Sequence, residues 1–266
     1  MAIKLVSDVH GAHEALTSQL SPDDKLVMLG DYANLIDFET LDGIISDIIS
    51  KQRLLQVLVQ VAAGQLEEAE ELVAEFTSPG GRYYARAAEL LRGSYRSLFD
   101  LIPCETHLIF GNNDFPEILR ECVGENARIY DGEVVTIEAF QVGFVSGSPP
   151  DNIQLGMPGY MDRATYSAKV ASLGQVDVLC SHVPPSGMGL EYDVVAAREE
   201  ASSEALTAHI RTYQPMYAFC GHVHNPGRAS AVSGSTRIRN LGHFRQHGKV
   251  VTLKDGSCFE DVLQEG

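Results

Sequence analysis

The sequence predicts an α/β protein in which a β-sheet core is covered by helices and interrupted by an all-helical insertion. Short apolar strands alternate along the chain with segments of helical periodicity, a pattern typical of sheets packed against helices. Residues 39–100 break this alternation, because they show helical spacing of apolar residues and no convincing strand. The chain has 266 residues, 44% of them hydrophobic, so it can bury one large core or split into two domains. We expect residues 1–266 to form a single domain.

Five predicted strands each end in a loop that opens with Asp, Asn or His. These strands cover residues 2–6, 25–29, 107–110, 176–180 and 216–220. A helix is predicted at residues 12–20, and Phe115-Pro116 opens another. Further β-rich stretches are predicted at residues 133–137, 140–146, 236–240, 249–253 and 257–263. Because ligands of open α/β sheets lie outside the carboxyl ends of the strands, the polar residues of these loops are in the right place for a site.

The helical insertion is predicted to contain two to three helices. Apolar residues recur at helical spacing over residues 54–62, 66–73 and 84–95, and Ser78-Pro79-Gly80-Gly81 separates the last two segments. The insertion lies between the loops that begin at Gly30 and Gly111, so we expect it on the same side as the site. It is either a cap that selects a small substrate or a packing and dimerisation element. The sequence sets no expectation for the oligomeric state.

Composition excludes several classes of partner. The formal net charge is −16 and only 20 residues are Lys or Arg, without a basic cluster, which argues against nucleic acid as a partner. No apolar run is long enough to span a bilayer, and the first residues lack the pattern of a signal peptide, so we expect a cytoplasmic protein without a membrane partner. The five cysteines are dispersed, which argues against a disulfide framework.

The side chains that follow the strands form a set of nitrogen and oxygen ligands. Asp8 and His10 make an Asp-x-His pair, and His222 and His224 make a His-x-His pair, so each pair presents two side chains in the same direction. The remaining members are Asp31, Asn112 and His182. A set without thiolates suits Mn, Fe, Zn, Ni or Co ions. Seven ligands are too many for one tetrahedral ion and suit two ions that share one carboxylate.

Five blocks of this sequence resemble the signature motifs of the calcineurin-like metallophosphoesterases. In chain order they are Asp8-Val9-His10, Gly30-Asp31, Gly111-Asn112, Ser181-His182 and Gly221-His222-Val223-His224. The resemblance covers nearly the whole chain apart from the helical insertion. It implies a four-layer α-β-β-α sandwich, made of two mixed β-sheets packed face to face and flanked by helices.

The resemblance also implies a dinuclear centre that hydrolyses a phosphoester. One divalent ion would be held by Asp8, His10 and His224. The other would be held by Asn112, His182 and His222, and Asp31 would bridge both. A hydroxide between the ions would attack phosphorus in line, while the ions offset the charge that develops on the phosphoryl oxygens.

The third block departs from the family pattern at one position. Relatives commonly have Gly-Asn-His-Asp or Gly-Asn-His-Glu, in which the His often serves as general acid and the acidic residue orients it. This chain has Gly111-Asn112-Asn113-Asp114, and an amide cannot donate and recover a proton as an imidazole can. The predicted catalytic residues are therefore Asp31, Asn112, Asn113 and Asp114. His13 and His243 are candidates for a replacement acid because they lie near signature blocks in the sequence.

The segment Asn240-Leu241-Gly242-His243 stands where the family often has Asn-x-Gly-Ser. Because that loop closes the site in relatives, His243 either faces the substrate or is a histidine of a surface loop.

The missing histidine favours a phosphodiesterase that acts on a small phosphoester substrate. Some phosphodiesterase-like branches of the family also lack this residue, and general acid catalysis matters most for poor leaving groups. Two alternatives stay open. The chain is a phosphomonoesterase or protein phosphatase of the same superfamily, or it is a catalytically silent metal-binding scaffold for a protein partner.

Overall fold

A computed structural model describes residues 2–150, 155–254 and 257–262. Its strands, in chain order, are β1 (Ile3–Val6), β2 (Lys25–Met28), β3 (Glu105–Leu108), β4 (Ala127–Ile129), β5 (Glu133–Ile137), β6 (Phe140–Val145), β7 (Val178–Ser181), β8 (Tyr192–Asp193), β9 (Arg198–Glu199), β10 (Tyr217–Cys220), β11 (Ser230–Ser233), β12 (Thr236–Asn240), β13 (Lys249–Lys254) and β14 (Ser257–Val262). Its helices are α1 (His13–Thr17), α2 (Lys51–Ala62), α3 (Glu67–Thr77), α4 (Tyr84–Leu101), α5 (Pro116–Cys122), α6 (Arg163–Ser172), α7 (Glu204–Tyr213) and α8 (Phe244–His247).

Two six-stranded mixed sheets form the centre of the protein. The first has the order β14-β13-β1-β2-β3-β4, and the second has the order β11-β12-β10-β7-β6-β5. In the first sheet β1 to β4 are parallel, whereas β13 and β14 pair antiparallel at one side. In the second sheet β12, β10, β7 and β6 are parallel, and the edge strands β11 and β5 are antiparallel. The predicted sandwich of two mixed sheets with flanking helices is confirmed.

Each strand distributes its apolar side chains between two cores, because successive residues of a strand point to opposite faces of the sheet. In β2, Leu26 and Met28 face the helices on the outside. Val27, in the same strand, faces the second sheet. The core between the sheets includes Ile3, Leu5, Leu29, Phe144, Val178 and Phe219. A third core packs α6 and α7 against the outer face of the second sheet, which completes four layers.

The predicted helical segment 39–100 contains α2, α3 and most of α4. The helices α2 and α3 pack on each other around a small cluster that includes Leu54 and Phe76 and that Ala87 of α4 joins. By contrast, α4 places Leu91, Tyr95 and Leu98 in the core that covers the first sheet. Helix α4 is therefore part of the outer helical layer, and α2 and α3 are the part of the segment that stands apart from the sheets.

Several elements differ from the sequence-based expectations. The strand expected at residues 107–110 ends at Leu108, so Ile109 and Phe110 belong to the loop that carries Asn112. The strands β4 and β11 were not predicted, and both are short edge strands whose side chains are exposed or half-buried, so they have little apolar patterning to detect. The strand expected at residues 257–263 matches β14 except that residue 263 lies outside the described residues. Within the described ranges, no helix has the length and apolar character needed to cross a membrane.

We predict that Leu91→Ala destabilises the whole protein, because Leu91 is fully buried in the core between α4 and the first sheet. The expected loss is about 2–5 kcal/mol in the free energy of unfolding measured by urea titration. Leu101→Ala is the matched control on the same helix, since Leu101 is 43% exposed and its loss is expected to stay within about 0.5 kcal/mol. Equal losses in the two variants would contradict the placement of α4.

Candidate metal centre

The predicted ligands lie in loops that follow β1, β2, β3, β7 and β10, at the same edge of the sandwich. Backbone hydrogen bonds hold these loops together: the Asp8 amide donates to Gly30 O (3.1 Å), and the His10 amide donates to Asp31 O (3.0 Å). The two sheets are joined across the site, because the His222 amide donates to the Asp8 carboxylate at 3.0 Å. The structure thus brings all seven predicted ligands into one region.

Four of these residues have a left-handed backbone. The φ angles are 54° for Asp8, 40° for His10, 57° for Asp31 and 68° for His222. Residues other than glycine rarely adopt this region, although Asp, Asn and His do so more often than others. Backbone strain of this kind costs on the order of 1–3 kcal/mol for each residue and clusters at functional sites. The strained backbone of these loops therefore directs the side chains toward the site at a cost in the stability of the loops.

The glycines of the signature blocks allow the loops to approach each other. A Cβ atom on Gly111 would collide with the Asp31 carboxylate, and one on Gly221 would collide with Ser7 and Asp8. Each of these positions accepts only a residue without a side chain, because the neighbouring group is a candidate ligand or its support. This gives a physical reason for the glycine that precedes Asn112 and His222.

The first group of ligand atoms consists of Asp8, His10, Asp31 and His224, whose ligand atoms all lie within 4.8 Å of one another. The Nε2 atoms of His10 and His224 are 3.2 Å apart. The Oδ1 atom of Asp8 is 3.3 Å from His224 Nε2 and 3.8 Å from His10 Nε2. Oδ1 of Asp8 is also buried without a hydrogen-bond partner among the described residues. This geometry fits a cation that all of these atoms would share.

The second group consists of Asn112, His182 and His222. Oδ1 of Asn112 lies 2.8 Å from His182 Nε2 and 2.9 Å from His222 Nδ1. The other ring nitrogen of His182, Nδ1, is 2.7 Å from the carbonyl oxygen of Leu29 and must carry a proton to bond it. When His182 is neutral, its Nε2 atom is therefore a hydrogen-bond acceptor, and it faces a second acceptor, Asn112 Oδ1. A metal ion between these atoms would remove that conflict, and a carbonyl bound to the far nitrogen is a typical support for a histidine ligand.

Asp31 stands between the two groups, with one carboxylate oxygen toward each. Oδ2 is 3.9 Å from His10 Nε2, and Oδ1 is 3.7 Å from His182 Nε2. The side chain is 1% exposed, so its charge has little contact with solvent. This is the position that a bridging carboxylate would need.

Burial and neighbouring charges together set the pKa values of the candidate ligands. Burial would raise the pKa of Asp8, but the adjacent His10 and His224 outweigh it and hold that pKa well below its usual range. Burial lowers the pKa of His224, yet the Asp8 carboxylate leaves it above its usual value. Burial and the neighbouring His182 lower the pKa of His222 to about 3, which keeps this imidazole neutral. A neutral imidazole and an ionised carboxylate are the protonation states that bind metals, so Asp8 and His222 are ready to bind, whereas a protonated His224 would release its proton on binding.

Asn113, at the position where the family commonly has histidine, contacts Asp31. Its side-chain amide donates to Asp31 Oδ2 at 2.7 Å, and its backbone amide donates to Oδ1 at 3.0 Å. The residue therefore orients the carboxylate that lies between the two groups.

Asp114 is buried behind the site and ties two loops together. It accepts hydrogen bonds from the backbone amides of Asp31 (2.8 Å), Tyr32 (3.2 Å) and Gly111 (2.9 Å). The hydroxyl of Tyr95 donates to the same carboxylate at 3.1 Å. Burial and the nearby Asp31 raise the pKa of Asp114 to about 6.

The two histidines considered as replacement acids lie in different surroundings. One ring nitrogen of His13 is 3.4 Å from the Tyr32 carbonyl, and burial lowers its pKa. His243 lies against the first group, with its ring stacked 4.1 Å from that of His224. Burial and His224 lower the pKa of His243 to about 3.

Sequence reasoning missed the residues that support the ligands from other parts of the chain. Tyr95 lies in the helical segment, where nothing in the sequence marks it as part of the site. Tyr160 lies near Asn112, with its hydroxyl 3.4 Å from the side-chain amide nitrogen. Asn240 lies in the block that resembles the family's Asn-x-Gly-Ser, and this was the one available signal for the loop it holds.

Comparisons with known proteins show the fold. One solved structure superposes with a TM-score of 0.66 at 17% identity, covering 99% of this chain and 100% of that one. A phosphopantetheinyl hydrolase from Mycobacterium tuberculosis gives 0.48 at 13% identity, covering 99% of this chain and 96% of that one. A novel archaeal phosphodiesterase gives a TM-score of 0.40 at 12% identity, covering 99% of this chain and 100% of that one. The first of these superpositions shows that the fold is shared. No family model and no curated protein matches the chain.

Two mixed sheets packed face to face place the five sequence blocks, in chain order, at one edge of the sandwich. The group of Asp8, His10, Asp31 and His224 has the donor set and the spacing to hold a metal ion.

We predict that Tyr95→Phe lowers the free energy of unfolding by about 1–3 kcal/mol, because it leaves the buried Phe115 amide, which donates to the Tyr95 hydroxyl at 3.1 Å, without an acceptor. Tyr166→Phe is the matched control, since Tyr166 is equally buried but its hydroxyl has no hydrogen-bond partner among the described residues. It should be neutral or slightly stabilising. Urea titration of the metal-stripped proteins measures both, and equal effects would contradict the role given to Tyr95.

Proposed function

We propose that this chain is a dinuclear metal-dependent phosphoester hydrolase that acts on a small phosphodiester. One observation supports the dinuclear centre above the others: two groups of ligand atoms, each with histidine nitrogens and an oxygen, lie on opposite carboxylate oxygens of Asp31. A single tetrahedral site would need neither the second group nor a shared carboxylate.

The proposed ligands of the first ion are Asp8, His10 and His224, and those of the second are Asn112, His182 and His222, with Asp31 shared. The donor set is nitrogen and oxygen without thiolate, which suits Mn, Fe, Zn, Ni or Co. When bound, two such ions polarise a phosphoryl group and lower the pKa of a water molecule. They also supply the local positive charge that a phosphate needs near a chain of net charge −16.

The residues around the ligands have positioning roles in this proposal. The Leu29 carbonyl fixes the tautomer of His182. Asn113 holds the carboxylate of Asp31, and Asp114 holds the two loops on which Asp31 and Asn112 lie. None of these groups needs to transfer a proton to perform its task.

The preference for a diester follows from Asn113. Its amide replaces the histidine that protonates the leaving group in many relatives, and it is engaged with Asp31. A reaction without this acid depends on a leaving group that departs without early protonation, so we favour diesters with activated leaving groups over monoesters.

The expectations on domain organisation, the helical segment, location and partners remain proposals. We propose that residues 1–266 act as one catalytic domain and that α2 and α3, within segment 39–100, border the substrate or another subunit. The cytoplasmic location and the lack of nucleic-acid and membrane partners also stay predictions.

We predict that metal-stripped protein hydrolyses a bis-aryl phosphodiester only after Mn²⁺, Ni²⁺ or Zn²⁺ is added, and faster than the aryl monoester. Asp31→Asn, His182→Ala and His224→Ala should each abolish turnover, since each removes a proposed ligand, while the far-ultraviolet circular dichroism spectrum stays that of the parent. His247→Ala is a matched control, because His247 is exposed and outside both groups. Full turnover in all three ligand variants would contradict the proposed mechanism. Bound metal without turnover of any phosphoester would favour a catalytically silent scaffold.

We predict that Asn113→His changes the rate on activated diesters by no more than about tenfold and improves the rate on esters with poor leaving groups by a larger factor. The physical reason is that an imidazole at this position can protonate the departing oxygen. The measurement is a series of aryl esters whose leaving groups differ in pKa, compared between the parent and the variant. A large, uniform loss across the series would instead show that the contact of Asn113 with Asp31 is the important one.

A further inference from the structure

The loop of residues 240–245 covers the first group of ligands and is held firmly in place. The Asn240 side-chain amide donates to the carbonyl oxygens of Gly221 and Val223, both at 3.1 Å. Its side-chain oxygen accepts the Gly242 amide at 2.7 Å, which closes the turn before His243. The loop is thus attached to the segment that carries His222 and His224.

The other end of this loop is attached to the segment that carries Asp8 and His10. The Phe244 amide donates to the Ser7 carbonyl at 3.3 Å, and the guanidinium of Arg245 donates to the His10 carbonyl at 2.7 Å. His243 lies between these two attachments, so its backbone is positioned relative to both halves of the first group. A histidine that contacted only solvent would not need this support.

The ring of His243 lies where a ligand would lie. It stacks on His224 with a centroid distance of 4.1 Å and an interplanar angle of 16°, and it meets His10 edge-on at 5.0 Å. One ring nitrogen from each of His10, His224 and His243 lies within 4.8 Å of the other two. The imidazoles of His10 and His224 belong to two groups. One group joins them to His243, and the other joins them to the carboxylates of Asp8 and Asp31.

The Nε2 atom of His243 is buried and has no hydrogen-bond partner among the described residues. Leaving a buried polar atom unpaired is destabilising, and coordination of an ion through Nε2 would remove that loss. Stacking on His224 alone would explain the ring position but would leave this nitrogen unsatisfied.

We infer that His243 is a third imidazole ligand of the ion that His10 and His224 hold, and that it biases this position toward nitrogen-preferring metals. This inference rests on the proposed function, which places an ion there. Imidazole suits Zn²⁺, Ni²⁺, Co²⁺ and Fe²⁺, whereas Mg²⁺ takes oxygen ligands. The relatives that this chain resembles often have serine at this position, so the bias would belong to this chain and not to the fold in general.

The test is calorimetric titration of metal-stripped protein with Ni²⁺ and, separately, with Mg²⁺. The parent is compared with His243→Ser, which has the side chain found in relatives, and with His247→Ser, a matched control for an exposed histidine four residues further on. We expect His243→Ser to weaken one of two Ni²⁺ binding steps by about tenfold or more and to leave Mg²⁺ binding unchanged. His247→Ser should leave both unchanged.

Thermal melting of the metal-stripped proteins shows whether the variants are folded, and His243→Gln is the second variant if the serine variant melts early. Two Ni²⁺ steps of parental affinity in His243→Ser would overturn the ligand role of His243 and leave the dinuclear proposal standing. The same result together with slower turnover would also overturn it, and would assign His243 to the substrate. A parent that binds fewer than two ions would overturn both proposals.

Discussion

The buried carboxylate of Asp114 is the interaction on which the rest of the site depends. It gathers the backbone amides of Asp31, Tyr32 and Gly111 and the hydroxyl of Tyr95 around two oxygens. Burying a carboxylate is costly, and only a full set of donors makes it tolerable. The bonds from Asp31 and Tyr32 fix the loop after β2 against the loop after β3, and the bond from Gly111 closes the loop after β3 on itself. The bond from Tyr95 joins that loop to helix α4. The outer helical layer is thereby connected to the positions of Asp31 and Asn112.

The candidate centre depends equally on how the two sheets pack. The first group combines Asp8 and His10 from the first sheet with His224 from the second, and the second group combines Asn112 with His182 and His222 in the same way. Neither group exists within one sheet. The apolar core between the sheets therefore sets the ligand distances, and an ion bound to either group would connect the two sheets in return.

Asn113 and His243 are two positions at which a single side chain bears on the proposed centre. The amide of Asn113 contacts Asp31, whereas the imidazole of His243 places a nitrogen at the outer side of the first group. Both residues lie on loops whose backbone is held by hydrogen bonds from several elements. Under the proposed function, a substitution at either position would alter the leaving group or the metal that the site favours while the backbone of the loops stays the same.

The sequence by itself determined the strands that precede the signature blocks, the order of those blocks and the seven proposed ligands. These features are local: an apolar strand, a glycine and a polar residue are neighbours in the chain, and residues i and i+2 point the same way. Tertiary structure decided that Asp114 contacts backbone amides and Tyr95, that α4 belongs to the outer layer, and that His243 faces His10 and His224. These contacts join separate segments of the chain, so no periodicity or spacing records them. The packing of α4 on the first sheet brings Tyr95 to Asp114, and the packing of the two sheets brings His243 to His10.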